Sequence, residues 1–494
     1  MIWLSIAVIF LCLIGAGAIY KFGRTIRYRL FGLVMTAAAA FVIGLGISCQ
    51  EDRTRLSLLF AGGLLLAGGC YMAIKKEITA VNIAGMIVVL CSAVLFMVTY
   101  LTYSDSKEEL AWGNNQYGTL ANGSYIYDSL VPKPIEGEEQ FQSISGGSHH
   151  TLALDNSGYV WIWGWETVPS IQRYIPFQVN ELRNIVKVSA GAFHSVVLDC
   201  AGNVWTWGEN GSGQLGDGTN LSRPEPGKVT GLSGIIDIAA KGSTTLAIDR
   251  EGQVWAWGDN SYGQLGDGTR ISRNLPVQVQ GVTDARDIGC GNLFSIALTV
   301  DGKVWAWGNN TNGQLGNGTN TQSLVPVQSL VSNIREISCG GYHCLAIDQN
   351  GAVWGWGLND DGELGNGNYI VSVRTPININ NLAGYRKVAA GEFRSMGIDR
   401  EGKATAWGRN FGGFLGIEYD QMENSNVPLT IFGLNNIRAL SVSGASTYAL
   451  EAYPITPLLI ALGTAVILLL IGLILLTERG LFNVIQTETK AVSL

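Results

Sequence analysis

Charge is scarce in this chain: Asp, Glu, Lys and Arg make up 14% of its 494 residues, against 47% apolar residues. That balance is too greasy for an ordinary soluble enzyme, so part of the chain is expected in lipid. Histidine occurs four times and cysteine eight times. Neither type clusters at a local metal-ligand spacing or beside a nucleophile, which argues against a zinc site, a catalytic dyad and any cofactor site built on them. Cys12, Cys49, Cys70 and Cys91 fall in long apolar runs, and the other four, Cys200, Cys290, Cys339 and Cys344, make no disulfide framework. Glycine, with 64 residues, is about twice its usual share, yet collagen's three-residue period and a Pro/Ser-rich disordered composition are both missing. A repetitive, turn-rich fold is the remaining reading.

Five runs have no charge inside them: Ile2 to Tyr20, Leu30 to Cys49, Leu56 to Ile74, Ile78 to Leu101 and Ile455 to Leu476. At about 1.5 Å rise per residue, each can cross a hydrocarbon layer of roughly 30 Å as a helix. The expected organisation is a four-helix membrane domain over 1–101, a soluble domain over 105–453, a fifth helix over 454–477 and a tail over 478–494. A cleaved signal peptide is a poorer reading of the first run, because Met1 to Trp3 offers no basic residue, although Gly15 to Ala18 resembles cleavage chemistry. Lys21, Arg24, Arg27, Arg29, Lys75, Lys76, Arg479 and Lys490 share one side of such a membrane, against Arg53 and Arg55 on the other. The positive-inside bias then places the N-terminus and residues 105–453 outside and the C-terminus in the cytoplasm, in a multi-pass protein of a bacterial type of cell membrane. No run carries a buried ionisable residue, so an anchor is favoured over a transport path.

Residues 105–453 hold 22 Lys and Arg against 34 Asp and Glu, a net charge of −12. Within them a Trp-Gly pair ends a strand-like run seven times, at Trp112, Trp163, Trp207, Trp257, Trp307, Trp356 and Trp407, in steps of 51, 44, 50, 50, 49 and 51 residues. A second element, apolar-small-small-Gly-x-x-His followed by an alternating run and Asp, starts at Ile144, Val188, Ile238, Ile288, Ile337, Val388 and Leu440. Period-two alternation, as in Val304-Trp305-Ala306-Trp307, and Asp-x-x-Gly turns such as Asp249 to Gly252 predict short antiparallel strands. A period near 50 with several strands and no helical stretch means one propeller blade per repeat. The chain opens with a lone Leu110 to Gly113 strand and closes with Leu440 to Glu451, which lacks its Trp-Gly partner. The fold class is therefore an all-β seven-bladed propeller, flanked by transmembrane helices, whose last blade is assembled from both ends.

Ile144-Ser-Gly-Gly-Ser-His-His150-Thr-Leu-Ala-Leu154 and Trp-Gly-x-Asn-x-x-Gly-Gln-Leu-Gly at 207–216, 257–266 and 307–316 closely resemble the regulator of chromosome condensation repeat family. The resemblance covers 105–453 and implies the same two-ended closure. It implies protein binding through one face of the ring, in a family that spans exchange factors for a small GTPase, a plant ultraviolet receptor and secreted β-lactamase inhibitors. The loops here read Gly-Ala-Phe-His and Gly-Gly-Tyr-His, without the receptor's extra tryptophans, and the acidic balance conflicts with phosphate contacts and a nucleic-acid partner. Gly211-Ser-Gly213-Gln-Leu-Gly216 satisfies the dinucleotide pattern, but the sister loops drop its first glycine, so we read turn glycines. His150, His194 and His343 share one repeat position and are expected to bond backbone at the inner turn, while the tryptophans of the Trp-x-Trp-Gly strands are expected in the core.

These readings point to a membrane-anchored, extracytoplasmic binding module without catalytic activity, facing a protein or cell-wall partner. The alternative is a sensor or enzyme in which the helices act and the propeller regulates. Antiparallel alternation puts the Gly-x-x-His loops and the loops after Trp-Gly on one face and the Asp-x-x-Gly turns on the other, and both short tethers leave from the latter. The candidate binding residues are therefore on the outward rim: His149, Phe193, Leu293, Tyr342 and Phe393, with Glu392 and Arg394 beside them.

Overall fold

The computed structural model describes residues 109–452, apart from 126–127, 138, 380–381 and 418–423. The five apolar runs and the C-terminal tail lie outside the described residues. Within the described residues, no helix is long and apolar enough to cross a membrane.

Seven four-stranded antiparallel sheets form the ring. The first blade runs Phe141–Gly146, His150–Asp155, Val160–Glu166 and Ile171–Val179. Five more blades follow in the same order, their inner strands beginning at Ile185, Ile235, Ala285, Ile334 and Tyr385. The seventh is Ile437–Val442, Ser446–Glu451, Glu109–Gly113 and Ser129–Pro134, so the two ends of the domain meet in one sheet. Glu109 lies opposite Leu450 and Gly113 opposite Ser446, an unbroken five-residue register that leaves the ring no free edge at the seam.

The Asp-x-x-Gly turns work as the sequence suggests. Asp155 Oδ1 accepts the Ser157 and Tyr159 N–H groups at 2.8 and 2.9 Å, and Gly158 supplies a φ of +83°. The tryptophans divide into two kinds, which corrects the expectation that all of them are core. The second of each Trp-x-Trp pair is buried, whereas Trp161, Trp205, Trp255, Trp305 and Trp354, two residues earlier near the start of the same strand, are half-buried. Four of these outer rings donate Nε1–H to the turn aspartate six residues earlier, as Trp161 does to Asp155 Oδ2 at 3.0 Å and Trp255 to Asp249 Oδ2 at 2.8 Å. At i and i+2 the two tryptophans share a face of the strand, and the first, at the strand's start beside the turn, stays half open.

The buried tryptophans tie blades together. Trp163, Trp257, Trp307, Trp356 and Trp407 donate to the carbonyls of Thr119, Gln214, Gln264, Gln314 and Glu363 in the preceding blade at 2.7 to 2.9 Å, and Trp112 to Phe414 at 3.1 Å. These carbonyls belong to the Gly-Gln-Leu-Gly loops and their counterparts. Gly216 packs so closely on Trp257 that a Cβ there would fall 2.8 Å from the indole nitrogen, and its φ is +66°. Gly211 meets nothing within 4 Å, so the dinucleotide-like pattern is a turn with an accidental extra glycine.

Each inner strand also carries a register shift near its start, between Phe141 and Ser143, Ala285 and Asp287, Ile334 and Glu336 and their equivalents. The bulge re-aims the residue between them. At four of the seven positions that residue is arginine: Arg286 and Arg335 donate to the Ile334 and Tyr385 carbonyls of the next blade at 2.9 and 3.0 Å. Arg386 reaches Ile437 O and Arg438 reaches Phe141 O in the same way, the latter bridging the seventh blade to the first.

Candidate functional site

The face carrying the Gly-x-x-His loops is built by two loops per blade that are locked to each other. The residue after each Trp-Gly pair donates its N–H to the carbonyl of the rim residue just before the repeat histidine position. Trp165 does so to His149, Glu209 to Phe193, Asn309 to Leu293, Leu358 to Tyr342 and Arg409 to Phe393, at 2.8 to 3.0 Å. The glycine of the pair is needed for this approach: Gly164 has φ +92°, and a Cβ there would lie 2.5 Å from His149 O.

Of the expected rim residues, His149, Phe193, Leu293, Tyr342, Phe393 and Glu392 are half-buried on this face. The structure gathers His149, Phe193, Tyr342 and Phe393 into two aromatic groups from neighbouring blades and leaves Leu293 and Glu392 outside both. His149 lies 4.7 Å from Phe193, ring centre to ring centre, with Tyr117 3.8 Å from His149 and stacked on Trp165. Across the ring, Tyr342 stacks on Phe393 at 5.7 Å, and the Arg409 guanidinium sits over the Phe393 ring at 4.1 Å. Ring contacts between blades account for part of this burial, and exposed edges remain. Tyr117, Trp165 and Arg409 escaped the sequence reading, although their position beside Trp-Gly and the antiparallel pairing could have placed them next to the rim.

Arg394 is not on the rim. It is 1% exposed, and it donates Nε–H to Thr447 Oγ1 at 3.2 Å and Nη2–H to Ser446 O at 3.0 Å, with its guanidinium 4.2 Å from the centre of the Phe414 ring. The reason is its repeat position, which points between blades. The histidines at that position do the same and correct the expected bond to backbone: His150 pairs with Ser195 Oγ at 3.0 Å, His194 with Thr245 Oγ1 at 2.9 Å and His343 with Ser395 Oγ at 2.8 Å, each hydroxyl belonging to the next blade. Thr245 and Ser395 spend their own protons on Gln214 O and Glu363 O, so His194 and His343 donate through Nε2 and keep Nδ1 as an unpaired acceptor. Burial pushes both imidazoles down to about 3 and His150 to about 4, which holds them neutral. At the seam Tyr448 takes over this role, its hydroxyl 2.7 Å from Thr151 Oγ1 of the first blade.

Between the rim residues the ring axis opens into a cavity of about 230 Å³, lined mostly by the small residues and backbone of the Gly-x-x loops. Its charged side chains are Lys241 and Glu392. Asn292 donates Nδ2–H to Glu392 Oε1 at 3.2 Å, and Lys241 Nζ donates to Cys339 O at 3.4 Å. Burial pulls the Lys241 ammonium down to about 8 against the opposing pull of the Glu392 carboxylate. Lys241 occupies the repeat position just before a loop glycine that is elsewhere small, a departure visible in the sequence but not singled out there. Cys339 and Cys344 face each other across the turn of the fifth blade and form a disulfide, a single local cross-link where no disulfide framework was expected; a tight hairpin puts residues five apart directly opposite. Cys200 and Cys290 are free thiols.

A seven-bladed ring of interlocked Gly-x-x-His and Trp-Gly loops around a shallow mouth defines a propeller of the repeat class. Residues 167–454 match the RCC1-like domain, and residues 110–154 and 141–168 match the regulator of chromosome condensation (RCC1) repeat. The chain belongs to the RCC1-like domain family. It is 38% identical over 60 residues to the ultraviolet-B receptor UVR8 of Arabidopsis thaliana, 12% of this chain and 13% of that protein. It is 34% identical over 86 residues to protein RCC1 of Candida albicans, 14% of this chain and 18% of that protein. The matched segments thus span less than a fifth of either relative. Among solved structures, human WBSCR16 superposes with a TM-score of 0.63 at 22% identity, covering 71% of this chain and all of that one. Prp20p of Saccharomyces cerevisiae, described with its binding to Gsp1p and histones, gives 0.63 at 23% over 72% and 94%. Yeast RCC1 (Prp20) bound to Kap60 gives 0.62 at 24% over 70% and 89%. At these identities the likeness shows the fold.

Proposed function

We propose that this chain is a membrane-anchored binding module without catalytic activity, its propeller outside a bacterial cell membrane, engaging a protein or cell-wall partner through the Gly-x-x-His face. The observation that carries the reading is the pair of half-exposed aromatic groups, Tyr117, His149, Trp165 and Phe193 on one side of the mouth and Tyr342, Phe393 and Arg409 on the other. Rigid aromatic and arginine side chains around a concavity are what interface hot spots are made from. The partners named for the yeast neighbours, Gsp1p, histones and Kap60, support a binding role for such a ring. Glu109 and Glu451, where the described propeller begins and ends, both lie at the Asp-x-x-Gly face, at the other end of the strands from the aromatic groups.

Anchoring and orientation are tested by adding protease to intact cells that carry a tag after Leu494. The propeller should be digested while the tag stays protected. Protection of the propeller would overturn the orientation, and recovery of the intact chain from the soluble fraction would overturn the anchor.

A further inference from the structure

We propose that the loop after Trp356-Gly357 in the fifth blade binds a calcium ion through the carboxylates of Asp360, Asp361 and Glu363. One oxygen from each of the three lies within 4.8 Å of the others. That span suits oxygens placed around one cation at about 2.3–2.6 Å.

The second observation is the state of Glu363. Its side chain is fully buried and its Oε1 has no hydrogen-bond partner. The sister loops show what this position normally does. Gln214, Gln264 and Gln314 each accept a backbone N–H two residues upstream through Oε1, from Ser212, Tyr262 and Asn312 at 2.8 to 2.9 Å. The amides of Gln264 and Gln314 also donate, to Asp259 Oδ2 at 2.7 Å and Asn309 Oδ1 at 3.4 Å. In the fifth blade Glu363 keeps the acceptor half, taking the Asp361 N–H on Oε2 at 3.0 Å. The donor half is gone: an oxygen stands where the amide nitrogen would be, and Leu358 replaces Asp259 and Asn309. A buried carboxylate oxygen with no donor calls for a positive charge beside it.

The charge count favours a divalent ion. Arg409 Nε donates to Asp361 Oδ2 at 2.6 Å and Asn424 Nδ2 to Oδ1 at 2.7 Å, so three carboxylates face one guanidinium, a net of −2. Each Asp361 oxygen retains a second lone pair for a metal. Asp360 is exposed, which gives the ion and its remaining water ligands a way in. An all-oxygen set on an irregular loop fits calcium, which tolerates varied geometry, better than magnesium, which demands a near-ideal octahedron, or zinc, which prefers nitrogen and sulfur. This inference stands apart from the partner reading, since it concerns one loop and can fail alone.

The test is calorimetric titration of the purified full-length chain with calcium chloride, alongside thermal unfolding with and without the ion. Saturable one-site binding is expected at about 0.1–1 mM, the range of extracellular modules. Ten millimolar calcium should raise Tm by about 2–4 °C. Glu363→Gln rebuilds the glutamine of the three sister loops, so it should fold, keep or raise the metal-free Tm, and weaken calcium binding at least tenfold. Asp360→Asn, on the exposed side, should weaken binding with Tm in the absence of metal unchanged. No saturable binding to the wild type, a full calcium response in E363Q, or equal affinity for magnesium would overturn the proposal.

Discussion

The relay between the second and third blades offers a sharp test of how the ring is held. His194 donates to Thr245 Oγ1 at 2.9 Å, Thr245 donates to Gln214 O at 3.1 Å, and Trp257 Nε1 donates to the same carbonyl at 2.9 Å. Thr245→Val keeps the shape and removes the hydroxyl. It forfeits the bond to Gln214 and strands the buried His194 N–H; a net bond is worth about 1 kcal/mol and a stranded donor about 1–3 kcal/mol, so the cost is about 2–4 kcal/mol. For a domain of this size that lowers Tm by roughly 3–6 °C. The chain itself supplies the controls: the fourth blade fills the histidine position with a buried Phe294, and Ser295, whose preceding blade carries Thr244 at that position, still donates to Gln264 O at 2.8 Å. His194→Phe should therefore cost little, and in its background T245V should lose only about 1 kcal/mol, since no donor is left stranded. Thermal unfolding followed by tryptophan fluorescence on the four proteins of the cycle measures the coupling. A T245V cost under about 0.5 kcal/mol, or the same cost with and without His194, would refute the relay.

The buried histidines also fix a pH dependence. A folded pKa of about 3 for His343 lies below its ordinary value of 6.5, so the unfolded chain binds the proton first, and this contribution is complete above about 6.5 and lost as pH falls toward 3. Between pH 7 and 5 the loss is about 2 kcal/mol for that one group. Asp287 and Glu363, pushed up to about 6 and about 8, act with the opposite sign and flatten the total. The readout is therefore the Tm gap between His343→Gln and the wild type, which should shift by roughly 3 °C in favour of the variant from pH 7 to pH 5; a constant gap would contradict a neutral buried imidazole. Deleting residues 105–116 removes the strand paired with Ser446–Glu451 and should leave an open edge that aggregates. A monomeric deletion with unchanged Tm would mean the seam contributes nothing.

The blade count, the strand phase and the closure by both ends were legible because they rest on local signals: Trp-Gly pairs at a fixed step, Asp-x-x-Gly turns, and a first strand without a partner. What was not legible depends on neighbours that lie a whole repeat away. Arg394 reads as a surface charge beside Phe393, yet its position points between blades at Thr447. The arginines at the bulges, such as Arg438 reaching Phe141, are invisible to alternation because a bulge shifts the phase by one residue. Glu363 reads as an ordinary variant of glutamine; only burial and the missing donor make it distinctive. The rim residues were found by repeat position, and their grouping into two aromatic sets required the ring.

The central claim, that the Gly-x-x-His face is the binding surface, is tested most directly by changing Phe193, Tyr342 and Phe393 singly to Ala and measuring partner capture per folded molecule together with Tm. Capture that falls at least tenfold, with Tm within about 2 °C of wild type, is the predicted result, as expected for hot-spot side chains worth more than about 1.4 kcal/mol each. Lowered Tm with capture per folded molecule intact would contradict the claim and return these rings to the packing between blades.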